Sequence, residues 1–185
     1  MKFFAAIFLA ALNLSAQTIN LTATNSAASK TETNRPPAIQ RAEQIRAECL
    51  AGRRIICGKI LKVLPDGLVV DSGYTDLLRA PLNSSWLIPG SVTASRPAGL
   101  IESREPGSAC VGMVFLTNLP RSHGDDAKPR LYDYVVVLGY PEGQFTYNSV
   151  GTVQKTVRQF SANLIKAVNA DFEAAENPGA ASGAK

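Results

Sequence analysis

Histidine is all but missing from this sequence: His123 stands alone in 185 residues, beside one tryptophan, two methionines and three cysteines. A single imidazole excludes histidine-rich metal clusters, and it would have to be the base of any Ser-His-Asp arrangement. No G-x-S-x-G elbow accompanies it. Charge is scarce as well. Asp, Glu, Lys and Arg make up 18% of the chain and leave a net +4, too mild to argue for a polyanionic partner and too little for a disordered polyelectrolyte. Apolar runs end early: nothing beyond Leu12 approaches the length of about 20 residues that crosses a bilayer. Cys49, Cys57 and Cys110 show no metal-ligand spacing. No cofactor is expected.

What is present begins with an export signal. Residues 1–16 read as a signal peptide, with Lys2, an apolar run from Phe3 to Leu12 and the small-residue site Leu14-Ser15-Ala16. Cleavage there removes Lys2 and lowers the net charge to +3. The mature chain is then expected in the periplasm or outside the cell, with no transmembrane segment. Residues 17–37 read as a flexible leader, 38–174 as a single domain and 175–185 as a disordered tail. In an oxidising compartment Cys57 and Cys110 are the preferred disulfide pair, since both fall in predicted strands. Cys49 with Cys57 is the rival, and three free buried thiols are the remaining outcome.

Residues 38–50 predict a short helix, with Ile39, Ala42, Ile45 and Cys49 on one side. Residues 53–71 predict a hairpin that turns at Pro65-Asp66-Gly67. Between 72 and 109 proline and glycine break the pattern every few residues, leaving room for short strands at 86–88 and 92–95. A strand over 111–116 and a polar loop over 118–130 follow. Residues 132–160 then read as one long hairpin turning at Gly139-Tyr140-Pro141-Glu142-Gly143, with a bulge at Gly151. In its second arm Phe145, Tyr147, Val153 and Val157 share a parity that suggests core, while Thr146, Asn148, Gln154, Thr156 and Arg158 share a wet face. Ser161 is the expected cap of a final helix carrying Leu164, Ile165, Val168 and Phe172.

Five main strands with one helix before and one after predict a mainly β fold, a small oligonucleotide/oligosaccharide-binding (OB)-like barrel, with an SH3-like barrel as the alternative. The stretches GKILKVLPDGLVV and GQFTYNSVGTVQKTVRQF resemble segments of small, exported, largely uncharacterised bacterial proteins with OB-like barrels, over about residues 53–160. The resemblance implies a fold and an envelope location, and no activity.

The residues offer three chemistries. A hydrolase would use His123 with Asp125 or Asp126 and Ser108 or Ser122, and a weak metal site would use His123, Asp125 and Asp126. A single-strand nucleic-acid binder would use Phe145, Tyr147 and Phe160 with Lys155 and Arg158, although parity and export both argue against it. What remains is a non-catalytic binding or accessory module of the envelope or extracellular space, whose partner is an unknown protein, peptide or glycan. Its contact surfaces are expected on the loops 72–109 and 118–130, with Tyr74, Trp86, Arg96 and His123 as the candidate binding residues.

Overall fold

The computed structural model describes residues 36–79, 86–120, 128–149 and 153–176. The chain divides into two units, Met1–Pro36 and Pro37–Lys185, and every described residue but Pro36 belongs to the second. The signal and leader up to residue 35, His123 with Ser122, Asp125 and Asp126, Gly151, and the tail from residue 177 lie outside the described residues.

Pro37 opens α1 (Pro37–Ala51), where its fixed φ and missing N–H cost nothing, and Gly52 follows the last turn. The alternating stretch after it pairs as expected. β1 (Arg54–Leu64) turns at Pro65-Asp66 into β2 (Gly67–Ser72). A short 3₁₀ turn (Thr75–Leu78), the two-residue β3 (Leu87–Ile88) and irregular chain then lead to β4 (Gly112–Thr117). The expected strand at 92–95 is loop instead. β5 (Tyr134–Asn148), β6 (Gln154–Ser161) and α2 (Leu164–Glu176) complete the order.

Five of the strands form a ring. β1 pairs β2, β2 pairs β4 and β6 pairs β5, all antiparallel. β4 pairs β6 in parallel, and β5 returns antiparallel to β1, while β3 adds a sixth strand on β5. One parallel closure within an otherwise antiparallel five-strand ring gives the OB-like order the sequence predicts.

The closing strand overturns one expectation. Residues 139–143 are not a turn; β5 runs straight through them, and the hairpin turns after Asn148. Residues 134–139 pair with β1 and residues 140–148 with β6, so the strand changes partner where proline and glycine cluster. Register shifts between Pro141 and Gly143, leaving Glu142 as the extra residue of a bulge, and Gly143 takes φ +101°. Proline and glycine are tolerated in strands at such bulges. The pair that reads as a turn in sequence is a barrel corner in the fold.

The ring encloses Ile56, Ile60, Leu68, Val70, Val114, Leu116, Val135 and Phe160. Full burial of such side chains stabilises by roughly 1.5–3 kcal/mol each. Gly58 lets β1 and β2 approach, because a Cβ there would overlap the backbone of Asp71 and Ser72. A second core lies on the outer face: Val69, Phe115 and Tyr147 are buried against Leu64, Met113, Phe145 and Val157. A third joins the helices, with Ile45 and Cys49 of α1 against Ala167 of α2 and Tyr140 of β5 beside them. α2 is capped by Asn163, not Ser161: Asn163 Oδ1 accepts the Ile165 and Lys166 N–H groups at 3.0 and 3.2 Å. Ser161 ends β6, and its Oγ accepts the Asn163 N–H. Ile165 is 70% exposed, outside the apolar stripe expected to hold it. All three cysteines are buried free thiols, so the Cys57–Cys110 pair is not formed.

Candidate functional site

OB-type barrels bind chains of sugars or nucleotides on the outer face of their second and third ring strands, framed by two loops. In this ring those strands are β2 and β4, and their outer face is covered by the chain itself. The far half of the β5–β6 hairpin lays Phe145 on Phe115, centroids 3.7 Å apart and planes 14° from parallel. Tyr147 stacks beside them, 8% exposed. Lys62 Nζ donates to the Asn148 carbonyl at 2.9 Å and ties the hairpin down. The parity reading as core holds for Phe145, Tyr147 and Val157, though the core is this outer one, and fails for Val153, which is 58% exposed. Phe160 fills the ring interior. The wet face of the hairpin is as expected, with Thr146 and Thr156 hydrogen-bonded across it at 2.9 Å.

At one end of the ring Arg158 forms two 2.7 Å bonds to the Glu102 carboxylate. Arg54 Nε lies 3.5 Å from the same carboxylate, and the Val111 N–H donates to it at 2.9 Å. Arg158 holds Glu102 far below the usual carboxylate range, at about 2. Arg158 also reaches the Cys110 sulfur at 3.2 Å, yet burial dominates and pushes that thiol up to about 12. Burial raises Cys57 too, and pushes Cys49 up to about 11. These are thiols held protonated, the opposite of a nucleophile's environment. No group of three His, Cys, Asp or Glu among the described residues is placed to hold a metal ion.

A different outer patch stays open. Lys59 of β1 sits in register between Asp71 of β2 and Tyr134 of β5. Asp71 accepts from Arg96 at 2.9 Å and from the Tyr74 hydroxyl at 3.4 Å, and Tyr74 meets Tyr134 edge-on at 5.7 Å. Lys59 Nζ lies 4.9 Å from the centre of the Tyr132 ring.

Tyr132 is the unusual residue of this patch. Residues 130–133 make a tight turn, closed by the Asp133 N–H to the Arg130 carbonyl at 3.2 Å, with Tyr132 at φ +72°. A positive φ at the third turn position normally calls for glycine or asparagine. A bulky residue there stores about 1–2 kcal/mol. The surroundings fix it in place. The Tyr132 N–H donates to the Ile60 carbonyl at 2.9 Å, and the Ile60 N–H to the Asp133 carbonyl at 2.8 Å. The Asp133 carboxylate accepts the Gly90 N–H at 2.8 Å and the Arg130 N–H at 3.0 Å. Despite this, Tyr132 is 55% exposed and Leu131 beside it 50%.

Of the four predicted binding residues, Tyr74 and Arg96 meet around Asp71. Trp86 is half-buried against the ring core, and its carbonyl accepts the Val136 N–H. His123 is outside the described residues. Sequence reasoning missed Lys59, Tyr132 and Asp133, because Tyr132 reads as strand when only its β propensity is weighed. Pro129 and Asp133 around Arg130-Leu131 were the available turn signal. Compared with family models, with curated proteins and with solved structures, the chain matches none.

Proposed function

We propose that this protein is a non-catalytic binding module of the cell envelope or extracellular space, and that it contacts a protein partner through the Tyr132 turn and the patch running to Lys59, Tyr74 and Arg96. The observation that carries the reading is a tyrosine held at positive φ while 55% exposed. Glycine could make the same backbone hydrogen bonds without the strain, whereas a pre-positioned aromatic loses little further entropy on binding. Rings of this kind anchor many protein interfaces. The covered β2–β4 face supports a protein partner over a single strand of nucleic acid. Export rests on residues 1–16.

The test is a photo-crosslinking amino acid placed at Tyr132 in the full chain, expressed in its native cells. A discrete crosslinked protein from position 132, with none from position 156 on the wet face of β6, is the expected result. No crosslink from 132, or the same products from both positions, would sink the reading. Fractionation and N-terminal sequencing of the recovered chain test export: a cytosolic protein beginning at Met1 would refute it.

A further inference from the structure

We propose that the Tyr132 turn recognises an acidic peptide segment carrying an apolar side chain; the proposal rests on the binding-module reading and specifies its ligand. Both carboxylates of the patch are already engaged. Asp133 accepts two backbone N–H groups, and Asp71 is taken by Arg96 and Tyr74. Three of the four nearby cations are not, Arg96 being the one held by Asp71. Lys59 lies over the Tyr132 ring, while Lys128 and Arg130 are exposed at the start of the turn. None of the three has an ion pair among the described residues. Leu131 and Tyr132 supply half-exposed apolar surface between these charges. A carboxylate arriving here meets a lysine and arginine set with no ion pair among the described residues, with an apolar foothold beside it.

The same residues disfavour the other polyanions. A nucleic-acid strand stacks its bases on successive rings. This patch has one exposed ring, with Lys59 over it; Tyr74 is only partly exposed and meets the buried Tyr134 edge-on, so no row of stacking rings continues from Tyr132. An anionic bilayer is read by clusters of about 4–8 cations. Here Asp71 pairs Arg96, which leaves three cations with no ion pair among the described residues, and Asp133 stands among them. A short peptide with one apolar side chain and flanking carboxylates matches the number and kind of groups on offer.

The experiment is selection of random displayed peptides on the immobilised full chain. The enriched sequences are then synthesised and their affinity measured. Enriched peptides should combine Asp or Glu with a leucine, isoleucine or aromatic residue. Tyr132→Ala should abolish their binding, and Lys59→Glu with Arg130→Glu should weaken it at least about tenfold, a loss of roughly 1.4 kcal/mol. Binding should also fall as salt rises. Arg130→Glu alone lies on the exposed turn and decides the matter even if Tyr132→Ala or Lys59→Glu misfolds. Enrichment of neutral or basic peptides, no enrichment, or binding indifferent to both variants would overturn the proposal. So would Tyr132-dependent retention of oligothymidylate or phosphatidylglycerol vesicles in place of peptide. A protein crosslinked from position 132 without selection of acidic peptides refutes the acidic chemistry alone; failure of both experiments refutes the binding-module reading as well.

Discussion

Two groups of aromatic side chains sit on the outside of one ring, and the chain treats them in opposite ways. Phe115, Phe145 and Tyr147 are stacked together under the far half of the β5–β6 hairpin. Tyr132 is held out at positive φ by hydrogen bonds from its neighbours. The first group contributes stability by burial, and the second spends it in backbone strain. The face where this architecture usually binds is therefore closed, and the exposed ring stands on a turn beside it. An aromatic residue on a β-rich surface tells little by itself; its neighbours decide whether it is core or contact.

The sharpest way to break the comparison is Phe115→Ala. Removing a buried, stacked ring should lower unfolding free energy by about 3–5 kcal/mol. Denaturant titration reads this directly, and a change below about 1 kcal/mol would mean the hairpin is not a packed cover. Glu102→Gln comes next. The folded carboxyl at about 2 lies below its ordinary 4.5. Its contribution is therefore complete above the unfolded value and disappears as pH falls from about 5 towards 2. With Arg158 partly exposed, about 1–2 kcal/mol is expected in that window, and the glutamine variant should flatten the acid limb of the stability curve.

Asp133→Ala tests how the open region is held. Releasing two backbone N–H groups should cost about 1–2 kcal/mol and should speed hydrogen exchange at Gly90 and Arg130. An unchanged exchange rate at both amides would show that the turn holds without the carboxylate. The smallest effect sharpens the contrast most. Tyr132→Gly should be about 1 kcal/mol more stable than Tyr132→Ala, because only glycine is relieved of the positive φ. Both should lose binding of the selected peptides. Equal stability of the two variants would remove the argument from strain.

Much of the fold was legible in the chain because period-two alternation and Pro-Asp-Gly chemistry act locally. Residues 54–72 fold as that pattern demands, and helix α1 begins at a proline and ends at a glycine as such helices do. The errors lie where one residue serves two elements. Pro141 and Gly143 carry turn chemistry, but a strand that changes partners needs the same backbone freedom. Ser161 is a good cap by type, yet it is claimed by β6, and Asn163 takes the role. At the candidate site, Tyr74 and Arg96 were visible as loop residues, but nothing local placed them on a shared carboxylate. Tyr132 was invisible because positive φ is read from glycine and asparagine, and here tertiary hydrogen bonds impose it on tyrosine.

β5 is one strand with two partners, and this has a consequence for how the protein is born. The segments of the β1–β2–β4 sheet are synthesised before either outer edge has its partner, since β1 is completed only by residues 134–139 and β4 only by β6. At a synthesis rate of about 5–20 residues per second, those edges stay open for seconds. Ring closure also joins segments far apart in sequence, which makes it slow by topology. The nascent chain is thus an unfinished sheet waiting for its last third, and any truncation before Phe160 leaves a sticky, unpaired edge in place of a smaller version of the fold.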